Sequence, residues 1–500
     1  MVVTTGQSQF GRVASIWALP LILALFLPAV SAAAGPKQGS LDRGFGRHGR
    51  VTGAVAVSAE NEIRFALAPG ERIVVSTGRT VSRYREDGTL DRSFGHAGRV
   101  RIDAPAVAGF DPAGIAVDSR GGVLLAGTTS QAQLKCATVP NALAATDGFP
   151  SGIPGSVLTV IRLTVQGRLD PSFGDNGIVS TDLAFPPPSA AGGTVQCDAP
   201  SVRATGLAVG PGDRPVLTGT RITEPIPCKA GGFGGFRSAF AARLTMSGAP
   251  DPSFGEAGVR TQDGLFEASE PTIDSRGGLL YAGASGAQCA PFNGYSFFAI
   301  GRASREGNPD PAFGPAGWKA LGKPLPYEGP PSYFSFTGAI ATDSAGRILL
   351  LQARIYPPGT RVIRLLPNGE SDPHFGNQGG ARLRVGARTT IEPIAVDEQG
   401  RPLLAGSRTV RRCEGRCDNL PGKAPKSVFA LLRMGSRGER DRRFGHRGMV
   451  LTGFGAGTVA SSDQILIDGE GRILVGGMLK SSQFSTGIGF GLARYRSSSD

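Results

Sequence analysis

Cys413 and Cys417 stand four residues apart, a spacing used by half of a zinc site, and four more cysteines follow no such spacing: Cys136, Cys197, Cys228 and Cys289. A structural zinc ion takes four thiolate or imidazole ligands in a tetrahedron. No second close pair and no histidine lies near Cys413, so the six thiols read better as three disulfides. Histidine is scarce, limited to His48, His96, His374 and His446, all at variable positions of one repeated turn. The chain has no His-Glu-x-x-His helix, no Gly-x-Ser-x-Gly elbow and no phosphate-binding P-loop. Asp118, Asp274, Asp343, Asp397 and Asp468 each open an Asp-x-x-Gly turn. No Asp-x-Asp-x-Asp-Gly loop surrounds them, so the expected role is acceptance of backbone N–H groups within the turn rather than calcium binding. Neither a metal nor a cofactor is expected. A carboxylate pair assembled from separate loops, as in a hydrolase or lyase acting on polysaccharide, stays open as an alternative.

Two segments carry side chains suited to binding. Arg408, Arg411, Arg412, Arg416, Lys423 and Lys426 crowd one stretch against Glu414 and Asp418, and fit either a polyanion or a solvated basic loop. Tyr327, Tyr333 and Phe334 stand among prolines, where they would stack on sugar rings or pack over an edge. The net charge of +13 favours an acidic partner without specifying one. The expected partner is an extracellular polymer, anionic or neutral, or a protein; nucleic acid is not expected, and the chain is read as a monomer.

What must position these side chains is a repeat. The motif Asp-x-x-Phe-Gly-x-x-Gly begins at Asp42, Asp91, Asp170, Asp251, Asp310, Asp372 and Asp441. Each copy sits in a longer unit of four short apolar runs. In one unit these are Gly114–Val117, Val123–Gly127, Val160–Leu163 and Ile178–Thr181, separated by Gly, Asp and Pro turns. Four short strands repeated seven times imply an all-β, seven-bladed propeller of four-stranded antiparallel blades, with a parallel β-helix as the rival. With strands lettered A to D, the third carries an arginine in every unit: Arg83, Arg162, Arg243, Arg302, Arg364, Arg433 and Arg494. In six units the motif aspartate follows eight residues later. Arg494 has no such partner after it and Asp42 has none before it, so the N-terminal strand is expected to complete the last blade. The arginine and aspartate are expected to pair across the C–D turn and the phenylalanine to pack between blades.

The unit, with its Leu90-Asp91-Arg92-Ser93-Phe94-Gly95 core and its Asp343-to-Leu349 turn, resembles the delta-60 repeat of bacterial, often exported proteins, over nearly all of residues 41–496. The resemblance implies a propeller and little about activity. Pro69-Gly70-Glu71-Arg72 and Gly210-Pro211-Gly212-Asp213 depart from it at the A–B turn.

The N-terminus reads as an export signal over residues 1–32: Arg12, an apolar run from Ile16 to Val30, and small residues for cleavage after Ala32. A short linker, 33–40, then leads into one domain, 41–500. An uncleaved anchor is the rival reading, but Pro20 and Pro28 break the apolar run, and no later stretch is long enough to span a membrane. A secreted protein, released or held at the cell surface, is expected, which favours disulfides. Antiparallel blades place A–B and C–D turns on one rim and B–C and D–A loops on the other. The second rim receives the insertions 128–157, 182–204, 220–238, 284–296, 320–337 and 407–427, with all six cysteines in them. The topology suggests pairings 136–197, 228–289 and 413–417. The reading that follows is a binding scaffold using the long-loop rim, with a purely structural surface protein as a further alternative.

Overall fold

A computed structural model describes residues 37–497 apart from 55–62, 134–135, 138–153, 182, 184–195, 198–200, 228–232, 263–264, 266–267, 287–294, 327–337, 355–358, 387, 412–425, 456–457 and 481–486. The segment read as an export signal lies outside the described residues.

Seven four-stranded antiparallel blades follow one another around a ring, as the repeat demands. Blade two is Phe110–Val117, Val123–Gln133, Pro154–Leu163 and Ile178–Thr181. Blade three is Ser201–Gly210, Arg214–Pro227, Phe233–Arg243 and Val259–Gln262. Blade six is Thr389–Val396, Pro402–Arg411, Lys426–Arg433 and Met449–Thr452. Sequential antiparallel pairing inside every unit rules out the β-helix. Blades two and three are also joined by one parallel pair, Ser201 opposite Ser156. Among the described residues there is no α-helix, only 3-10 turns at Pro105–Val107 and Pro311–Phe313.

The B and C strands read as unbroken apolar runs because each blade is covered on both faces. Successive side chains of a strand point to opposite faces. Val123 and Leu125 therefore pack towards blade one with Val74 and Phe94. Leu124 and Ala126 pack towards blade three with Leu207 and Leu217. The same division recurs around the ring, so the core is a set of interblade layers rather than one central mass. The innermost A strands contact their neighbours in a closed circuit.

The ring closes through the N-terminus. Arg50–Ala54 pairs antiparallel with Gly487–Tyr495, Arg50 opposite Ala493, and so supplies strand D of blade seven. Arg494 Nε donates to Asp42 Oδ2 at 2.8 Å, and the Asp42 N–H donates to the Arg494 carbonyl at 2.8 Å. Strand Gly487–Tyr495 is thereby covered, where an open array would leave its edge exposed.

The Phe-Gly pair of the motif has a conformational reason. Gly95 has φ +56°, and a Cβ on it would lie 2.3 Å from the Arg99 carbonyl oxygen. Only glycine tolerates both demands. Its N–H points out of its own blade to the Gln166 carbonyl of the next, at 2.7 Å.

Candidate functional site

The seven repeated arginines could have offered a ring of ligand sites on the short-turn rim, but each guanidinium is spent inside the fold. Every one is at most 7% exposed. Its Nε faces the motif aspartate, at 2.7–2.8 Å in blades one, three, five and six. Its Nη1 crosses the blade boundary to a main-chain carbonyl lying three residues beyond the next blade's arginine. Arg83 reaches Val165, Arg162 Met246, Arg302 Pro367, Arg364 Ser436 and Arg433 Ser497, at 2.5–2.9 Å. Arg243 reaches Arg305 in the same way. Arg494 of blade seven reaches Glu86 of blade one at 2.6 Å, which closes the circuit. Each guanidinium also lies over the motif phenylalanine, from 4.5 Å for Arg364 on Phe375 to 5.9 Å for Arg162 on Phe173. A planar cation with five donors suits this combination of ion pair, carbonyl contact and ring face; a lysine would not.

The A–B turn decides how the remaining donor is used. In blades five, six and seven an arginine four residues after the turn aspartate serves that aspartate: Arg347 to Asp343, Arg401 to Asp397 and Arg472 to Asp468, at 2.6–2.7 Å. In blades two and four that position is Gly122 or Gly278, and the core arginine takes over. Arg162 Nη2 donates to Asp118 at 2.5 Å and Arg302 Nη2 to Asp274 at 2.6 Å. Their distances to Asp170 and Asp310 open to 3.3 Å. Blades one and three lack the turn aspartate. There Arg72 and Arg214 approach the motif aspartates themselves, at 3.4 and 3.1 Å. The departing turns also gain Glu71 and Asp213, at φ +54° and +58°, which accept from Gly469 N and Ser119 N of the preceding blades.

The five turn aspartates each take two backbone N–H groups on one oxygen, as when Asp118 Oδ1 accepts from Arg120 and Gly122 at 3.0 and 2.8 Å. With the second oxygen held by a guanidinium, these carboxylates have no lone pairs aimed at a shared cation. For the motif aspartates, burial opposes the charge of Asp91, Asp170, Asp251 and Asp372. Hydrogen bonds from the following residues and the facing arginines outweigh it, and all four carboxyls sit below the ordinary aspartate value.

On the long-loop rim the strands run past the core. The hairpin of Arg214–Pro227 and Phe233–Arg243 pairs as far as Pro227 opposite Phe233. Cys136–Ala137 and Gln196–Cys197 form a separate two-stranded ladder in which Cys197 stands opposite Cys136. Cys228, Cys289, Cys413 and Cys417 lie outside the described residues, as do Arg412, Arg416, Lys423, Tyr327, Tyr333 and Phe334. Of the basic cluster, Arg408 is half-buried on its strand, with Nη1 3.6 Å from the Met449 sulfur. Arg411 stands opposite Lys426 at the end of the blade-six ladder.

Two cavities occur on the opposite, short-turn rim. One, of about 680 Å³, lies at blade six against the N-terminal segment, between Gln38, Arg401, Ser436, Arg440 and Arg443. The other, of about 570 Å³, is lined by Ser40, Leu41, Arg43, His48 and Arg50 in the closing segment. The expectation of a functional long-loop rim did not include them. The available signal was the run of arginines at variable motif positions in Arg437–Arg447 and Arg43–Arg50, beside histidines already seen to share this rim.

No family model matches the chain, and no curated protein does. Solved structures similar to it include a streptogramin B lyase, at 9% identity and a TM-score of 0.40, covering 89% of this chain and 97% of that one. A virginiamycin B lyase from Staphylococcus aureus is similar at 12% identity and a TM-score of 0.42, covering 89% and 98%. A gluconolactonase from Xanthomonas campestris is similar at 9% identity and a TM-score of 0.35, covering 92% and 98%. Among the described residues, no helix is long and apolar enough to cross a membrane.

Proposed function

We propose that this chain is an exported binding scaffold of the delta-60 repeat type, using its long-loop rim to hold an extracellular polymer or protein. The observation that carries the reading is the complete internal use of the repeated polar residues. Seven arginines and their carbonyl acceptors form a closed lock, so recognition falls to the segments that do not repeat. The blade-three hairpin extends past the core as far as Pro227 opposite Phe233, and the Cys136–Cys197 register supports a disulfide that pre-orders the neighbouring segment. The mature, oxidised chain is tested on an array of glycans and wall polymers at low and high salt. Salt-sensitive binding to anionic polymers, weakened when the basic residues of 408–426 are neutralised, is the expected result. Absence of binding at either salt would sink the glycan form of the proposal.

A second reading, cleavage of a polysaccharide, has one specific observation in its favour. The innermost strands of blades two, three, six and seven are bulged at the same repeat position, at Ala113, Thr205, Glu392-Pro393 and Asp463, and in blades six and seven that position carries a carboxylate. Bulges re-aim side chains and are frequent beside active sites. Loss of a measured hydrolase or lyase activity in both Glu392→Gln and Asp463→Asn would support it, and an inactive parent chain would end it.

A further inference from the structure

We propose that the short-turn rim over blades six and seven is a second binding site, which takes an acidic polysaccharide through two adjacent anion-accepting cavities. This adds a surface at the opposite end of the propeller from the long-loop rim and does not depend on that rim binding anything.

The asymmetry of the repeat points here. After the motif aspartate, blades two to five carry proline: Pro171, Pro252, Pro311 and Pro373. Blades six, seven and one, consecutive around the closed ring, carry Arg442, Arg43 and Arg92. After Phe-Gly, blades two to five carry Asp175, Glu256, Pro315 and Asn377, whereas the same three blades carry His446, Arg47 and His96. These basic residues are exposed, so folding does not require them. A solvated face alone would not concentrate one sign of charge on three neighbouring turns of seven.

Cavities coincide with that charge. The 570 Å³ cavity is walled by Ser40, Leu41, Arg43, His48 and Arg50. The 680 Å³ cavity places Arg401, Arg440, Arg442 and Arg443 around Gln38 and Ser436, against two carboxylates, Glu439 and Asp441. The short stretch from Gln38 to Leu41 separates the two, so successive acidic units of one chain would occupy them on either side.

Three features select a polysaccharide from among polyanions. Guanidinium forks match carboxylates in two-point contact. Volumes of about 570 and 680 Å³ fall in the range of sites for whole small molecules and leave room for a sugar ring beyond its charged group. Neutral polar groups on Ser436 and Gln38 offer contacts for hydroxyls, which a polyphosphate lacks.

The test is binding of the full mature chain to polygalacturonate, polyphosphate, duplex DNA and neutral dextran, at low and moderate salt. The expected result is salt-sensitive binding to polygalacturonate, weakened about tenfold or more in Arg43→Ser/Arg443→Ser with its melting temperature unchanged. Arg411→Ala/Lys426→Ala, on the opposite rim, should leave it intact. Equal binding to polyphosphate or DNA would overturn the polysaccharide assignment in favour of a generic cationic face. Binding that survives Arg43→Ser/Arg443→Ser but is lost in Arg411→Ala/Lys426→Ala would place it on the long-loop rim and overturn the site. No binding to polygalacturonate would overturn the proposal outright.

Discussion

On the short-turn rim the chain reverses within a few residues, and its arginines, aspartates and glycine N–H groups are bonded to each other or to the next blade. On the opposite rim described strands such as Arg214–Pro227 run on past the core into sequences that do not repeat, and Cys136 stands opposite Cys197 there. The first rim holds the ring together through the repeated residues; the second carries the sequences that do not repeat. Within the first rim, blades six, seven and one add exposed basic residues that the lock does not use. A scaffold and its variable surface can therefore be separated by residue position as well as by rim.

The largest expected effect tests the lock. Arg162→Ala leaves the buried Asp118 without its cation and the half-buried Asp170 without its nearest one, and should cost about 3–5 kcal/mol in denaturant unfolding. Arg83→Ala should cost less, because Arg72 and Arg85 remain 3.4 and 3.9 Å from Asp91. Equal losses in the two variants would show that the alternative wirings are energetically irrelevant. On the other rim, non-reducing peptide mapping should recover Cys136 linked to Cys197. Removing that bridge by Cys136→Ser/Cys197→Ser should lower stability by up to about 4 kcal/mol on the chain-entropy model. A map showing both thiols free would break the idea of a stapled rim.

Acid should act on the lock in a defined direction. The carboxyls of Asp91, Asp170, Asp251 and Asp372 lie below the ordinary aspartate value in the folded chain. Their contribution is therefore complete above the unfolded value, about 3.9, and is lost as pH falls through the lower folded values. Melting temperature followed from about pH 6 to about 2.5 should decline in that window, and Asp91→Asn should make the decline shallower. The smallest expected change is Lys426→Ala. It lies outside the lock, so stability should stay within about 0.5 kcal/mol, and a larger loss would show that the long-loop rim also holds the fold.

Much of the architecture was legible because it repeats. The Arg-to-Asp spacing of eight residues, and the one arginine and one aspartate left over at the two chain ends, forecast the Arg494–Asp42 bond and the closing strand. The odd A–B turns of blades one and three were visible as departures, but not their consequence. That the core arginine changes partners when Arg347, Arg401 or Arg472 is replaced by Gly122 or Gly278 needs distances between separate hairpins. The cavity walls were hidden for a similar reason. Gln38 and Arg440 belong to opposite ends of the chain and meet only when the ring closes.

The blade itself is encoded locally: apolar runs of strand length, turns at glycine and aspartate, and an arginine set to meet its own motif aspartate. These features are short-range or periodic, and sterics and alternation suffice to specify them. Two features that cross a blade boundary waited for the folded ring: the carbonyl each arginine reaches and the cavities at the seam. Such contacts join groups far apart in the chain, and no spacing within one repeat encodes them, because their geometry exists only once seven sheets have packed and closed.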